Sequence, residues 1–113
     1  MRTIEAQDLE WQRDGGVASS VLHNEGTVQV EALEVASGQS LKAHTHKKRR
    51  EFLVVVFACG AQLRLGDRVF RPTLGQTFER EPGEVMEIVN DTTNPFRLLR
   101  FQLGYEASDI QNV

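Results

Sequence analysis

The chain has 113 residues, 40% of them hydrophobic and 26% charged, with a net charge of −3. That length suits one domain rather than two and buries a single core without covalent staples. The acidic balance argues against nucleic acid as the main partner, no apolar run approaches the ~20 residues of a membrane helix, and the lone Cys59 rules out an internal disulfide.

The first residues, Met1 to Ala6, lack the apolar stretch of a signal peptide, so a cytoplasmic location is expected. Ile4 to Arg13 has room for a turn of helix but no helical apolar stripe. Turn signals then recur closely, at Asp14-Gly15-Gly16, Asn24-Glu25-Gly26, Ser37-Gly38, Cys59-Gly60, Gly66-Asp67, Leu74-Gly75, Pro82-Gly83 and Asn90-Asp91. Short segments between regular turns predict an all-β sandwich or barrel, with N-terminal strands within residues 1–26.

Thr27 to Val35 alternates, with Val28, Val30 and Ala32 against Gln29 and Glu31. Glu51 to Ala58 is almost wholly apolar and β-branched, as in a strand whose two faces both want cover. A second subunit is one way to cover the outer face, so a homodimer is expected. On the strand after Gly60, Gln62 and Arg64 alternate, either lining a pocket or forming a solvated face. Val85 to Asn90 alternates with Met86 and Ile88 on one side. In Phe96 to Leu103 the apolar phase shifts between Leu98 and Leu99, which predicts a bulge there. The final stretch, residues 107–113, reads as a loosely held polar tail.

The segment from Gly38 to Glu51 carries the chemistry. In a strand, side chains two apart leave the same face, so His44 and His46 project together. Glu51 follows five residues after His46 and offers an anionic donor. Two imidazoles and a carboxylate form a ligand set for a divalent metal such as Zn, Fe, Mn or Ni, with positions left for substrate. Between them runs Lys47-Lys48-Arg49-Arg50, either a solvated face or a cationic rim that attracts an anionic ligand.

These residues resemble the first motif of the cupin superfamily, a glycine, five residues, His-x-His, three or four residues, then Glu; Gly38, His44, His46 and Glu51 fit it. The second cupin motif is matched in length by Gly75 to Asn90, with Gly75, Gly83 and Asn90 in register. Gln76 replaces its usual Asp, Glu81 its usual Pro, and Met86 the histidine that usually completes the metal shell. A thioether is a poor ligand for hard or borderline divalent ions. The resemblance spans about residues 27–103 and implies one cupin domain over 1–113, a double-stranded β-helix or jelly-roll barrel.

Within cupins the chain is most similar to the small type II mannose-6-phosphate isomerase-like group, on His46 to Glu51 with Val54-Val55-Val56, and on Phe101 to Tyr105 with Ser108-Asp109-Ile110. That likeness implies a metal-dependent isomerase of a sugar phosphate or other small anion, with Glu79, Glu81 and Glu87 as candidates for the base. A non-haem iron dioxygenase is a variant on the same ligands. The alternative is a non-catalytic cupin that binds a sugar or anion at a degenerate metal site, which Met86 and the missing Asp favour.

Overall fold

The structure is a computed structural model that describes residues 1–104 and, as backbone, residues 110–112. One 3-10 turn, Ala6–Asp8, precedes strands β1 (Gln12–Asp14), β2 (Val17–Glu25), β3 (Val28–Val35), β4 (Ser40–His46), β5 (Arg50–Phe57) and β6 (Gln62–Leu65). There follow β7 (Arg68–Phe70), β8 (Thr77–Arg80), β9 (Met86–Val89), β10 (Phe96–Leu103) and β11 (Ile110–Asn112). No helix among the described residues is long and apolar enough to cross a membrane.

The strands form a six-stranded sheet in the order β1-β2-β3-β10-β5-β8 and a five-stranded sheet in the order β11-β4-β9-β6-β7. Every pairing is antiparallel. The two sheets face each other, and the alternating side chains of each strand divide between the interior and the outer faces. Leu33, Leu53, Leu63, Met86, Ile88 and Leu98 lie in the shared apolar core.

The interior changes character along the strands. On β3, Gln29 and Glu31 precede Leu33 and Val35, and all are buried. On β10 the order is reversed, as antiparallel pairing requires: Phe96 and Leu98, then Arg100 and Gln102. Gln29 thus faces Gln102, Gln102 faces Glu51, and Glu51 faces Arg80, one polar row across four strands. One end of the barrel is oily and the other polar.

The predicted bulge is displaced. In the β5–β10 pairing the register shifts between Arg97 and Leu98, and Val56 is the unopposed residue on β5. β10 itself keeps one phase; its apolar pattern slips in the sequence because Arg100 and Gln102 take inward positions while Leu99, Phe101 and Leu103 face outward. The tail is corrected in part: Ile110–Asn112 pairs with β4, opposite His46, Thr45 and His44. Residues 107–109 and 113 of that stretch lie outside the described residues, as do Tyr105, Ser108 and Asp109 of the isomerase-like segment.

Turn chemistry holds the sheet ends in place. Gly38 enters β4 at φ 74°, a conformation that favours glycine, and its N–H donates to the Asn90 carbonyl at 2.8 Å. Asn90 is buried, and its side-chain amide donates to the carbonyls of Val35 (2.9 Å) and Asn94 (2.8 Å). The second motif's asparagine therefore ties the exits of β3 and β9 to the start of β4.

Candidate functional site: a histidine and arginine pocket

β4 has a register irregularity against β9 between Leu41 and His44, and beyond it His44 lies across from Met86. Alternation then turns both His44 and His46 inward, where they are 7% and 2% exposed. Their rings meet edge to face with centroids 5.3 Å apart. Both line a cavity of about 720 Å³ at the polar end of the barrel, together with Arg100, Leu33 and residues of the β1–β2 hairpin and of β4. Gly16 in that hairpin admits the close approach of the Gln39 side chain just before β4: a Cβ there would lie 2.0 Å from Gln39 Cγ.

His44 Nδ1 lies 3.0 Å from the Lys42 carbonyl. A carbonyl can only accept, so Nδ1 carries the proton and Nε2 keeps its lone pair. Burial lowers the His44 pKa to about 4, against a smaller upward pull from that carbonyl, and the Arg80 and Arg100 charges lower it further. Burial likewise lowers the pKa of His46, although the adjoining Glu51 carboxylate pulls the other way. Both rings are therefore neutral near pH 7.

Glu51 is fully buried, and its surroundings are cationic. Arg80 Nη1 donates to its Oε1 at 2.5 Å, Arg100 Nε lies 3.4 Å from its Oε2, and His46 Nε2 lies 3.3 Å from Oε1. The histidine contact is at ion-pair range without hydrogen-bond alignment, since both His46 ring nitrogens lack a hydrogen-bond partner among the described residues. Burial pushes the Glu51 pKa up, but the His46 contact and the Arg100 and Arg80 charges outweigh it and hold the carboxyl at about 2. Each nitrogen of Arg80 donates once: besides Nη1, Nε donates to the Glu84 carbonyl (2.9 Å) and Nη2 to the His44 carbonyl (2.8 Å). Arg100 also donates through Nη2 to Glu31. The result is a chain of alternating charge, Arg80–Glu51–Arg100–Glu31.

This arrangement does not fit the expected divalent metal. The carboxylate that would be the third ligand already holds two guanidinium groups, so a cation beside it would face two like charges. Met86 is fully buried in the apolar core rather than offering a donor. No cluster of His, Cys, Asp or Glu among the described residues is arranged to hold a metal ion.

The other expected site residues separate. Gln62 and Arg64 do not line the cavity; they alternate with the core residues Leu63 and Leu65 on the opposite face of β6, and Arg64 pairs with Glu87 at 3.6 Å. Their alternation was real, but its phase places them outside. The basic run is not a uniform rim either. Arg49 is 2% exposed while Lys47, Lys48 and Arg50 are exposed, and Arg50 pairs with Glu79 and Glu81. Glu79, Glu81 and Glu87 are thereby removed as bases for chemistry in the cavity. Sequence reasoning missed Arg80, Arg100 and Glu31. The available signal was their phase: Arg100 and Gln102 share the parity of Phe96 and Leu98, and Arg80 that of Phe78.

No protein-family model matches the sequence, and no curated protein does. Solved structures do match. A double-stranded β-helix protein from Klebsiella pneumoniae superposes with a TM-score of 0.83 at 18% identity, covering 100% of this chain and 97% of that one. The polyketide cyclase RemF from Streptomyces resistomycificus gives 0.83 at 18% identity, covering 100% and 85%. An RmlC-like cupin from Shewanella frigidimarina gives 0.81 at 14% identity, covering 96% and 95%. The chain has the cupin fold, a double-stranded β-helix.

Proposed function

We propose that this small cupin binds a small anionic molecule at the polar end of its barrel, without a metal ion. The observation that carries the reading is Arg100, a guanidinium inside the cavity beside two neutral imidazoles. Among the described residues, Arg13 and Lys42 add positive charge to the lining, where Asp14 supplies a carboxylate. The Arg80–Glu51–Arg100–Glu31 chain is neutral overall, so the excess of Arg13 and Lys42 over Asp14 makes the described lining locally positive in a protein of net charge −3, which attracts anions. Its volume is in the range of small-molecule sites.

Calorimetric titration with small carboxylates and with mannose 6-phosphate tests the reading. Saturable binding that disappears in Arg100→Gln supports it. Absence of binding by every anion tried would end it.

A second reading keeps catalysis. By resemblance the substrate would be a sugar phosphate undergoing aldose–ketose isomerisation, and the unprotonated Nε2 of His44 is the group to take the proton. Conversion of mannose 6-phosphate to its ketose, lost in His44→Gln, is the result that would establish it.

We further propose a homodimer formed through the outer face of the six-stranded sheet. Phe101 lies there between Val30 and Phe52, and Leu99 between Ala32 and Val54. The apolar centre of this face, with Phe101 at 36% and Leu103 at 41% exposure, is flanked by the Arg97–Glu34 and Arg50–Glu79 ion pairs and suits a second copy of itself.

A further inference from the structure

We propose that the ligand is a hydroxylated carboxylic acid, bound by its carboxylate on Arg100 and by a hydroxyl on His44. The inference rests on the anion-binding reading above and names the chemical class of the anion.

The carboxylate follows from what Arg100 has already spent. Its Nη2 donates to Glu31 and its Nε faces Glu51 at 3.4 Å. Among the described residues Nη1 has no hydrogen-bond acceptor, and the side chain is 13% exposed at the cavity wall. One guanidinium edge is thus left for ligand. Two carboxylates already offset its charge, so the site suits a monoanion better than a phosphate dianion.

The hydroxyl follows from the His44 tautomer. Nδ1–H is committed to the Lys42 carbonyl, and Nε2 makes no hydrogen bond among the described residues. A lone pair at a cavity wall is an acceptor, and it requires a donor from the ligand. A carboxylate cannot supply one; a hydroxyl can. Ser19, Ser40, Gln12 and Gln39 also line the cavity and can serve further hydroxyls. An aliphatic acid of the same length would leave these groups unpaired.

The test is a titration panel on the wild-type protein by calorimetry, at one salt concentration. The probes are gluconate, hexanoate, sorbitol and glucose 6-phosphate. Gluconate is expected to bind more than about tenfold tighter than hexanoate or sorbitol, because unpaired polar groups discriminate strongly against analogues that lack a hydroxyl. Hexanoate equal to gluconate would overturn this inference and leave the anion reading standing. Glucose 6-phosphate tighter than gluconate would overturn the choice of carboxylate with the same survival. Sorbitol as the best probe, or no binding by any probe, would sink both readings. Long-range 1H–15N spectra at pH 7 supply a check without ligand: His44 Nε2 must be the unprotonated nitrogen, and a proton on it would refute the hydroxyl contact. In His44→Phe the preference for gluconate over hexanoate should collapse, and retained discrimination in a folded variant refutes the role of His44.

Discussion

Arg80 and Glu51 face each other across the β5–β8 pairing, 1% and 0% exposed, with the guanidinium donating to the carboxylate at 2.5 Å. The same arginine reaches the backbone of His44 and of Glu84, so one side chain joins β8, β5, β4 and the turn before β9. Buried charges persist only when paired and hydrogen-bonded, and here each of the three guanidinium nitrogens of Arg80 donates a hydrogen bond.

Arg80→Met should therefore destabilise the protein by about 3–5 kcal/mol, because it leaves Glu51 buried with less compensation. Urea unfolding followed by circular dichroism measures this. A double change, Arg80→Met with Glu51→Leu, should recover much of the loss by replacing the pair with apolar volume. Equal stability of the single variant and the wild type would show that the clamp is not holding the barrel.

Metal content provides a second measurement. Protein purified without chelator should hold well under one equivalent of Zn, Fe, Mn or Ni by elemental analysis. Met86→His should leave this unchanged, since Glu51 remains on Arg80 and Arg100. Met86→His with Arg100→Ala should take up more metal than either single variant. Stoichiometric metal in the wild type would reverse the fit argument.

Stability should fall in acid, and His44, His46 and Glu51, all with lowered pKa, give the same sign. His44 has its pKa lowered from 6.5 to about 4, so the unfolded chain binds a proton more readily than the fold below pH 6.5. Stability is full above 6.5 and falls as pH drops toward 4, by about 3 kcal/mol at 1.36 kcal/mol per unit. Glu51, lowered from 4.5 to about 2, adds a loss in the same direction below pH 4.5. The unfolding midpoint should drop on the order of 10 °C between pH 7 and pH 4. A flat profile across that interval would contradict the buried placement of these groups.

The outer sheet face makes a prediction about mass. Light scattering should give twice the chain mass for the wild type and the chain mass for Phe101→Glu, with the variant's far-ultraviolet spectrum unchanged. A monomeric wild type would remove the dimer proposal.

Gln62 and Arg64 provide the negative control. Arg64 is half exposed and pairs with Glu87 at 3.6 Å on the outer face. Gln62→Ala and Arg64→Ala should alter stability by about 0–1 kcal/mol and leave ligand binding unchanged. A loss of binding in either would place those side chains at the cavity after all.

The strand architecture was legible in the sequence, and so was the shared face of His44 and His46. Alternation along Thr27 to Val35 and Val85 to Asn90, with turns at regular intervals, is legible because a strand's side-chain period is two. Of the motif residues Gly38, His44, His46 and Glu51, the two histidines share one cavity, while Gly38 and Glu51 are not part of its lining. The partners of Glu51, by contrast, depend on how the strands pair. Arg80 and Arg100 lie far along the chain from Glu51, and pairing register, not sequence spacing, brings them onto its carboxylate. The same registers put Gln62 and Arg64 outside, since a shift of one residue in phase exchanges the two faces of a strand. A histidine–carboxylate motif that reads as a metal site in one dimension is, in three, an ion-pair chain with two neutral imidazoles facing the cavity. The difference lies in charges delivered by other strands.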